Sequence, residues 1–164
     1  MEHLPLIIQS GEADTRGRVV GLQMALMTLR LMEHWRKHLG VDYESAMIVL
    51  ATAAITMEKF TRREFEPGLE SFRSAVPADQ LARCNVGSIA VAVGLNRETA
   101  RRKVGRLVGN GMLLKGRDGA IRISPEYTLS VPTSDMMKRQ LETLVHTANE
   151  LMRDGILSTA SAGQ

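Results

Sequence analysis

Apolar residues recur at helical spacing near both ends of the chain and are broken up by turn residues in the middle. At 100° per residue, Val20, Met24, Met27, Leu31 and Trp35 form one stripe along a helix predicted to start near Asp14 or Thr15, as N-cap, and to end before Gly40. Leu22, Leu26 and Leu29, with Val19, form a second stripe on the opposite side. A helix covered only by its own domain needs one apolar stripe. Two opposed stripes predict a helix held between its own domain and a partner subunit. Asp42 reads as the N-cap of a second helix, which carries the apolar run from Ala46 to Met57 and continues through Lys59 to Arg63. It is predicted to be the most buried helix. Farther along, Met137, Leu141, Leu144, Ala148 and Leu151, widened by Val145 and Met152, make a short heptad seam on a helix running from Thr133 or Ser134 to just before Gly155. These two sets, Val20 to Trp35 and Met137 to Leu151, are the candidate dimerisation residues.

The middle of the chain reads differently. Asn85 caps a short helix with Ile89, Ala90 and Val93 inside. Gly94 follows, where a tight turn favours a residue free to adopt positive φ. Asn96 then caps a helix from Arg97 to about Val108, with Ala100, Val104, Leu107 and Val108 as its buried face, and Asn110-Gly111 ends it. "MLLK", a Gly/Asp turn from Gly116 to Gly119, and "AIRI" predict a β-hairpin. Short helices are expected at 69–76 and 78–83, and "SPEYTLSVPTS" reads as a linker. The predicted class is mainly α with a small hairpin. Its parts are an arm (1–13), a helical scaffold and dimerisation region (14–84), a helix-turn-helix with hairpin (85–124), a linker and C-terminal dimerisation helix (125–157), and a disordered tail (158–164).

Charge sharpens this picture. The segment from Gly94 to Ile123 carries net +6, whereas the whole 164-residue chain is only +3, so the remainder is −3. Positive charge gathered on one helix and one hairpin suits a polyanion met by a single face. In the first turn of the second helix, Asn96, Arg97, Glu98 and Thr99 are the candidate base contacts, since Arg suits guanine and Asn suits adenine. Arg101, Arg102, Lys103 and Arg106 on that helix, with Lys115, Arg117 and Arg122 of the hairpin, are the candidate phosphate contacts.

The stretch "SIAVAVGLNRETARRKVGRLVGNGML" resembles the DNA-binding module of bacterial winged helix-turn-helix transcriptional regulators, over about residues 85–124. The resemblance implies a second helix lying in the major groove and a wing against the phosphate backbone. The wider layout is similar to the MarR family, which implies terminal helices forming a homodimer around the winged helices. The segment from Arg62 to Cys84 is longer than that layout implies. Sequence-specific binding of double-stranded DNA by a homodimer, for transcriptional control, is the expected function. The alternative is a protein-interaction module, accessory or antirepressor-like, that uses a winged helix without specific DNA binding.

Other features change less. Eight of the ten methionines lie on predicted helices; flexible core filling is the ordinary reason, and a pocket for a small apolar effector is the other. His34 and His38 are four apart, a metal-ligand spacing, but the sequence brings no further ligand beside them, so no metal is expected. The single cysteine, Cys84, reads as a small buried apolar residue. "GRLVGNG" ends a helix instead of following a strand, and neither a phosphate-binding loop nor a nucleophile elbow is present, so neither an enzyme nor a cofactor is expected. The opening "MEHLPLIIQSG" lacks the pattern of a signal peptide and no apolar run reaches a membrane span, so a cytoplasmic protein without membrane contact is expected.

Overall fold

Local capping chemistry sets most of the helix boundaries. In the computed structural model, which describes residues 5–62, 65–130 and 133–160, Asp42 Oδ1 accepts from the Ser45 amide at 2.9 Å and opens α3, Tyr43–Thr56. Asn85 and Ser88 form a reciprocal capping box at the start of α4, Val86–Val93. Asn96 accepts from the Thr99 amide and opens α5, Arg97–Gly109. Such side chains satisfy amides that have no partner inside the helix. Between α4 and α5 the chain turns at Gly94, whose φ of 67° is the left-handed conformation expected from its position.

Around these helices the described residues form two units, 36–62 with 65–130 and 133–134, and 5–35 with 135–160. In the first, α3 packs on α4, α5 and the hairpin. The hairpin pairs β2, Leu113–Lys115, antiparallel with β3, Ile121–Ile123. Ile48, Ile89, Ala100, Leu107, Leu113 and Ile121 are essentially sealed from solvent and make the core. Cys84 is buried as expected, and its carbonyl accepts from the Ile121 amide at 2.8 Å, which ties residue 84 to the edge of the hairpin. As predicted, α3 has more buried residues than any other helix. A final short helix, α6, spans Pro125–Ser130.

The second unit brings the chain ends together. Strand β1, Leu6–Ile8, pairs antiparallel with β4, Leu157–Thr159. Helix α1, Ser10–Thr15, and α2, Gly17–Leu39, follow β1, and α7, Thr133–Arg153, leads to β4. Gln140 on α7 donates to the Leu31 carbonyl at 3.1 Å, and Arg16 donates to the Asp154 carbonyl at 3.1 Å. Leu39, which belongs to the other unit, is the sole buried residue of α2. On α7 the inward positions are Met136, Thr143, Thr147 and Leu151, and both threonine hydroxyls bond to carbonyls one turn back.

Several sequence expectations are corrected. The arm is ordered into β1 and α1, and Thr15 ends a helix instead of capping one. Ser158 and Thr159 of the expected disordered tail lie in β4, a pairing across the whole chain that no local pattern reveals. Helix α3 stops at Thr56, followed by one 3-10 turn at Glu58–Thr61. No helix forms at 69–76, and 78–83 holds only a 3-10 turn, Ala78–Gln80. The linker contains α6, because Pro125 sits in a first turn that needs no amide and Ser124 Oγ accepts from the Tyr127 amide at 3.3 Å. Residues 36–84 fold with 85–124 instead of with the terminal helices. Residues 1–4 of the arm, Arg63 of the expected second helix, Val131 and Pro132 of the linker, and 161–164 of the tail lie outside the described residues.

Candidate nucleic-acid interface

Helix α5 divides cleanly. Ala100, Lys103, Val104 and Leu107 are buried, and Arg97, Glu98, Arg101, Arg102 and Arg106 are exposed along the other face. The spacing of 100, 103, 104 and 107 is one side of a helix, so everything polar outside it meets solvent. Among the described residues Arg97, Arg102 and Arg106 form no salt bridge, nor do Lys115 and Arg117 of the hairpin region, although Arg102 adds through space to the field on Glu98. These five cations are exposed.

The remaining candidates have other commitments. Asn96 Oδ1 accepts from the Thr99 amide at 2.8 Å, so the side chain that would read adenine caps the helix instead, and only its amide nitrogen is left. Thr99 is half-buried. Glu98 and Arg101 form a two-pronged pair at 2.8 and 2.6 Å, and the hydrogen bonds from Arg101 hold the Glu98 carboxyl below its usual range. The pair is fully exposed and opens at little cost.

Lys103 is the clear correction. Its side chain is 9% exposed, and its ammonium bonds Asp42 Oδ1 at 2.8 Å and Glu44 Oε2 at 3.1 Å. It cannot touch a phosphate while it bridges α5 to the start of α3. The signal was in the sequence, since position 103 shares its side of the helix with Ala100 and Leu107.

Arg122 also departs from the expected surface. In the hairpin register Leu114 faces Arg122, while Lys115 faces Ile121, so Lys115 and Arg122 project from opposite sides of the sheet. Arg122 is half-buried and lines a depression with Leu81, Ala82 and Arg83. Arg83 is a further cation at this site, with no motif in the sequence to mark it. Its guanidinium donates to the Asp118 carbonyl at 2.9 Å and steadies the hairpin turn, whose amide at Ala120 bonds Asp118 Oδ1.

The candidate dimerisation residues divide as well. Val20, Met24, Met27, Leu31 and Trp35 are half-buried, whereas the opposite stripe is open, with Leu22 59% and Leu29 65% exposed. The apolar face of α2 open to solvent is therefore Leu22, Leu26 and Leu29. On α7, Leu141, Leu144, Val145 and Met152 are exposed, Met137 and Ala148 are half-buried, and Leu151 is buried within its own chain and unavailable. Among the described residues no three His, Cys, Asp or Glu side chains come together as a metal site needs, and no single helix is long and apolar enough to cross a membrane. Burial lowers the pKa of His38.

No protein-family model, curated protein or solved structure matches the chain.

Proposed function

We propose that the chain is a sequence-specific binder of double-stranded DNA that acts in transcriptional control, with α4, Gly94, α5 and the β2–β3 hairpin working as a winged helix-turn-helix. One observation carries the reading: five exposed cations without carboxylate partners lie on the outer face of α5 and the hairpin, directly beside a capped helix start. Helix α5 enters the major groove, Arg97 and an opened Glu98 meet base edges, and Arg102, Arg106, Lys115 and Arg117 meet phosphates. The winged helix begins at α3, since α3 supplies the floor on which α4, α5 and the hairpin rest.

The protein works as a homodimer. Apart from Leu39, no residue of the 23-residue α2 is buried, and the β1–β4 ribbon has only two strands with Leu6 and Ile8 exposed. A two-stranded ribbon and a helix pair with open leucines are poorly stable alone in water. A second copy meeting Leu22, Leu26, Leu29, Leu141 and Leu144 covers that surface and sets two reading helices against two half-sites.

The test is a pair of substitutions in full-length protein. Arg97→Ala is expected to reduce discrimination among duplexes, by roughly 1–3 kcal/mol at one base pair. Arg117→Ala is expected to weaken all duplexes alike. Equal binding by wild type and both variants refutes the assigned face.

A further inference from the structure

The ion triad at Lys103 joins a buried lysine side chain to two largely exposed carboxylates, outside the proposed DNA-contacting face, and it occupies a telling place. Asp42 both caps α3 and holds Lys103. Its Oδ1 accepts from the Ser45 amide at 2.9 Å and from Lys103 Nζ at 2.8 Å, while Oδ2 accepts from Ser45 Oγ at 2.9 Å. Glu44, two residues on, adds a second carboxylate to the same ammonium. Just before Asp42 the chain leaves α2 through Gly40, at φ 66°, and the Arg36 guanidinium stacks 5.6 Å from the centre of the Tyr43 ring across that turn. One joint thus links the end of α2, the start of α3 and the middle of α5.

We propose that Lys103 is a positioning residue for DNA recognition, which fixes the rotation of α5 on α3 so that the first turn of α5 meets base edges in register. The inference rests on the DNA-binding reading above and names a residue that touches no DNA. Three features support it. Lys103 lies about one and a half turns beyond Arg97, close enough to set the pose of the first turn. The other buried side chains of α5, Ala100, Val104 and Leu107, make non-directional contacts, which tolerate small rotations far better than paired hydrogen bonds do. The carboxylates lie at a capped helix start, so their own placement is fixed by backbone. Of the three groups only the Lys103 side chain is shielded, at 9% exposed, so it is the member that depends on the pairing for its place.

The experiment separates positioning from contact. The probes are the duplex enriched from a random pool by the full-length wild type, and a shuffled duplex of the same composition. In Lys103→Met, which keeps the length of the side chain without its charge, the affinity ratio between the two duplexes is expected to fall about tenfold, the discrimination carried by one well-placed bidentate contact. The salt dependence of binding stays at its wild-type slope, because no phosphate contact is lost. An unchanged ratio overturns the proposal, while the DNA-binding reading stands. A salt slope reduced by about 0.9 per substituted chain also overturns it, since Lys103 then meets a phosphate. If the wild type enriches no duplex, both the reading and the proposal fail. If Lys103→Met does not fold, Asp42→Asn decides: it keeps a capping oxygen for α3 but removes one of the two charges facing Lys103. It is expected to lower the same ratio by a smaller factor, and an unchanged ratio there overturns the proposal.

Discussion

The salt dependence of duplex binding turns the count of free cations into a measurable slope. Arg97, Arg102, Arg106, Lys115 and Arg117 are exposed and without carboxylate partners. If each of the four assigned to phosphates, Arg102, Arg106, Lys115 and Arg117, neutralises one, the logarithm of affinity falls against the logarithm of salt concentration with a slope of about −3.6 per chain. Between about 50 and 200 mM salt, a single chain then loses roughly 150-fold in affinity, and a dimer on two half-sites has a slope of about −7. Arg102→Ala is the cleanest perturbation, because its side chain is exposed and makes no bond within the protein. Each substituted chain is expected to lose about 0.9 from the magnitude of the slope, hence about 1.8 for a dimer. The assay is fluorescence anisotropy of a labelled duplex titrated with full-length protein at several salt concentrations, on wild type and variant side by side. A wild-type slope smaller in magnitude than about 2, or a slope that Arg102→Ala leaves untouched, refutes the assignment of this face.

Other expectations concern assembly, pH and the turn. Leu141→Glu combined with Leu144→Glu places charge on exposed apolar positions of α7, so sedimentation is expected to show a monomer with unchanged helix content; a persistent dimer excludes that face. The hydrogen bond from Lys103 holds the Asp42 carboxyl at about 2, below its usual 3.8. Its stabilisation is therefore complete above the unfolded value and lost as pH falls through about 2, so melting temperature is expected to drop between pH 4 and 2, less steeply in Asp42→Asn. Gly94→Ala is expected to cost roughly 1–2 kcal/mol in urea unfolding, from backbone strain at φ 67°, since nothing lies near enough to clash. Gly94→Asn is expected to cost less, because Asn tolerates that conformation.

What could be read from the sequence was the local part. The α4–Gly94–α5 unit follows from caps and a turn residue within a few positions of one another, and the hairpin from a Gly/Asp turn between short apolar runs. The α7 helix was visible too, but its inward positions are Met136, Thr143, Thr147 and Leu151, while Leu141 and Leu144 of the expected seam are exposed. Non-local features escaped. Strands β1 and β4 pair Leu6 with Thr159, and three-residue strands carry too little pattern to signal it. Helix α6 was hidden because Pro125 and Pro132 suggested a linker, although a serine before Pro-Glu is also a helix start. Charge alone groups Lys103 with its neighbours, whereas its helical phase puts it inside. Asn96 shows a conflict between two readings of one residue, a capping oxygen and a base-reading amide, and in the structure its oxygen bonds the Thr99 amide.

The most direct test of the central claim is selection of random duplex DNA on the purified full-length protein, followed by sequencing of the bound molecules. The account expects a two-fold symmetric motif whose half-sites lie about one helical turn, or a multiple, apart. Recovery of a flat sequence distribution, with only weak salt-sensitive binding, contradicts it.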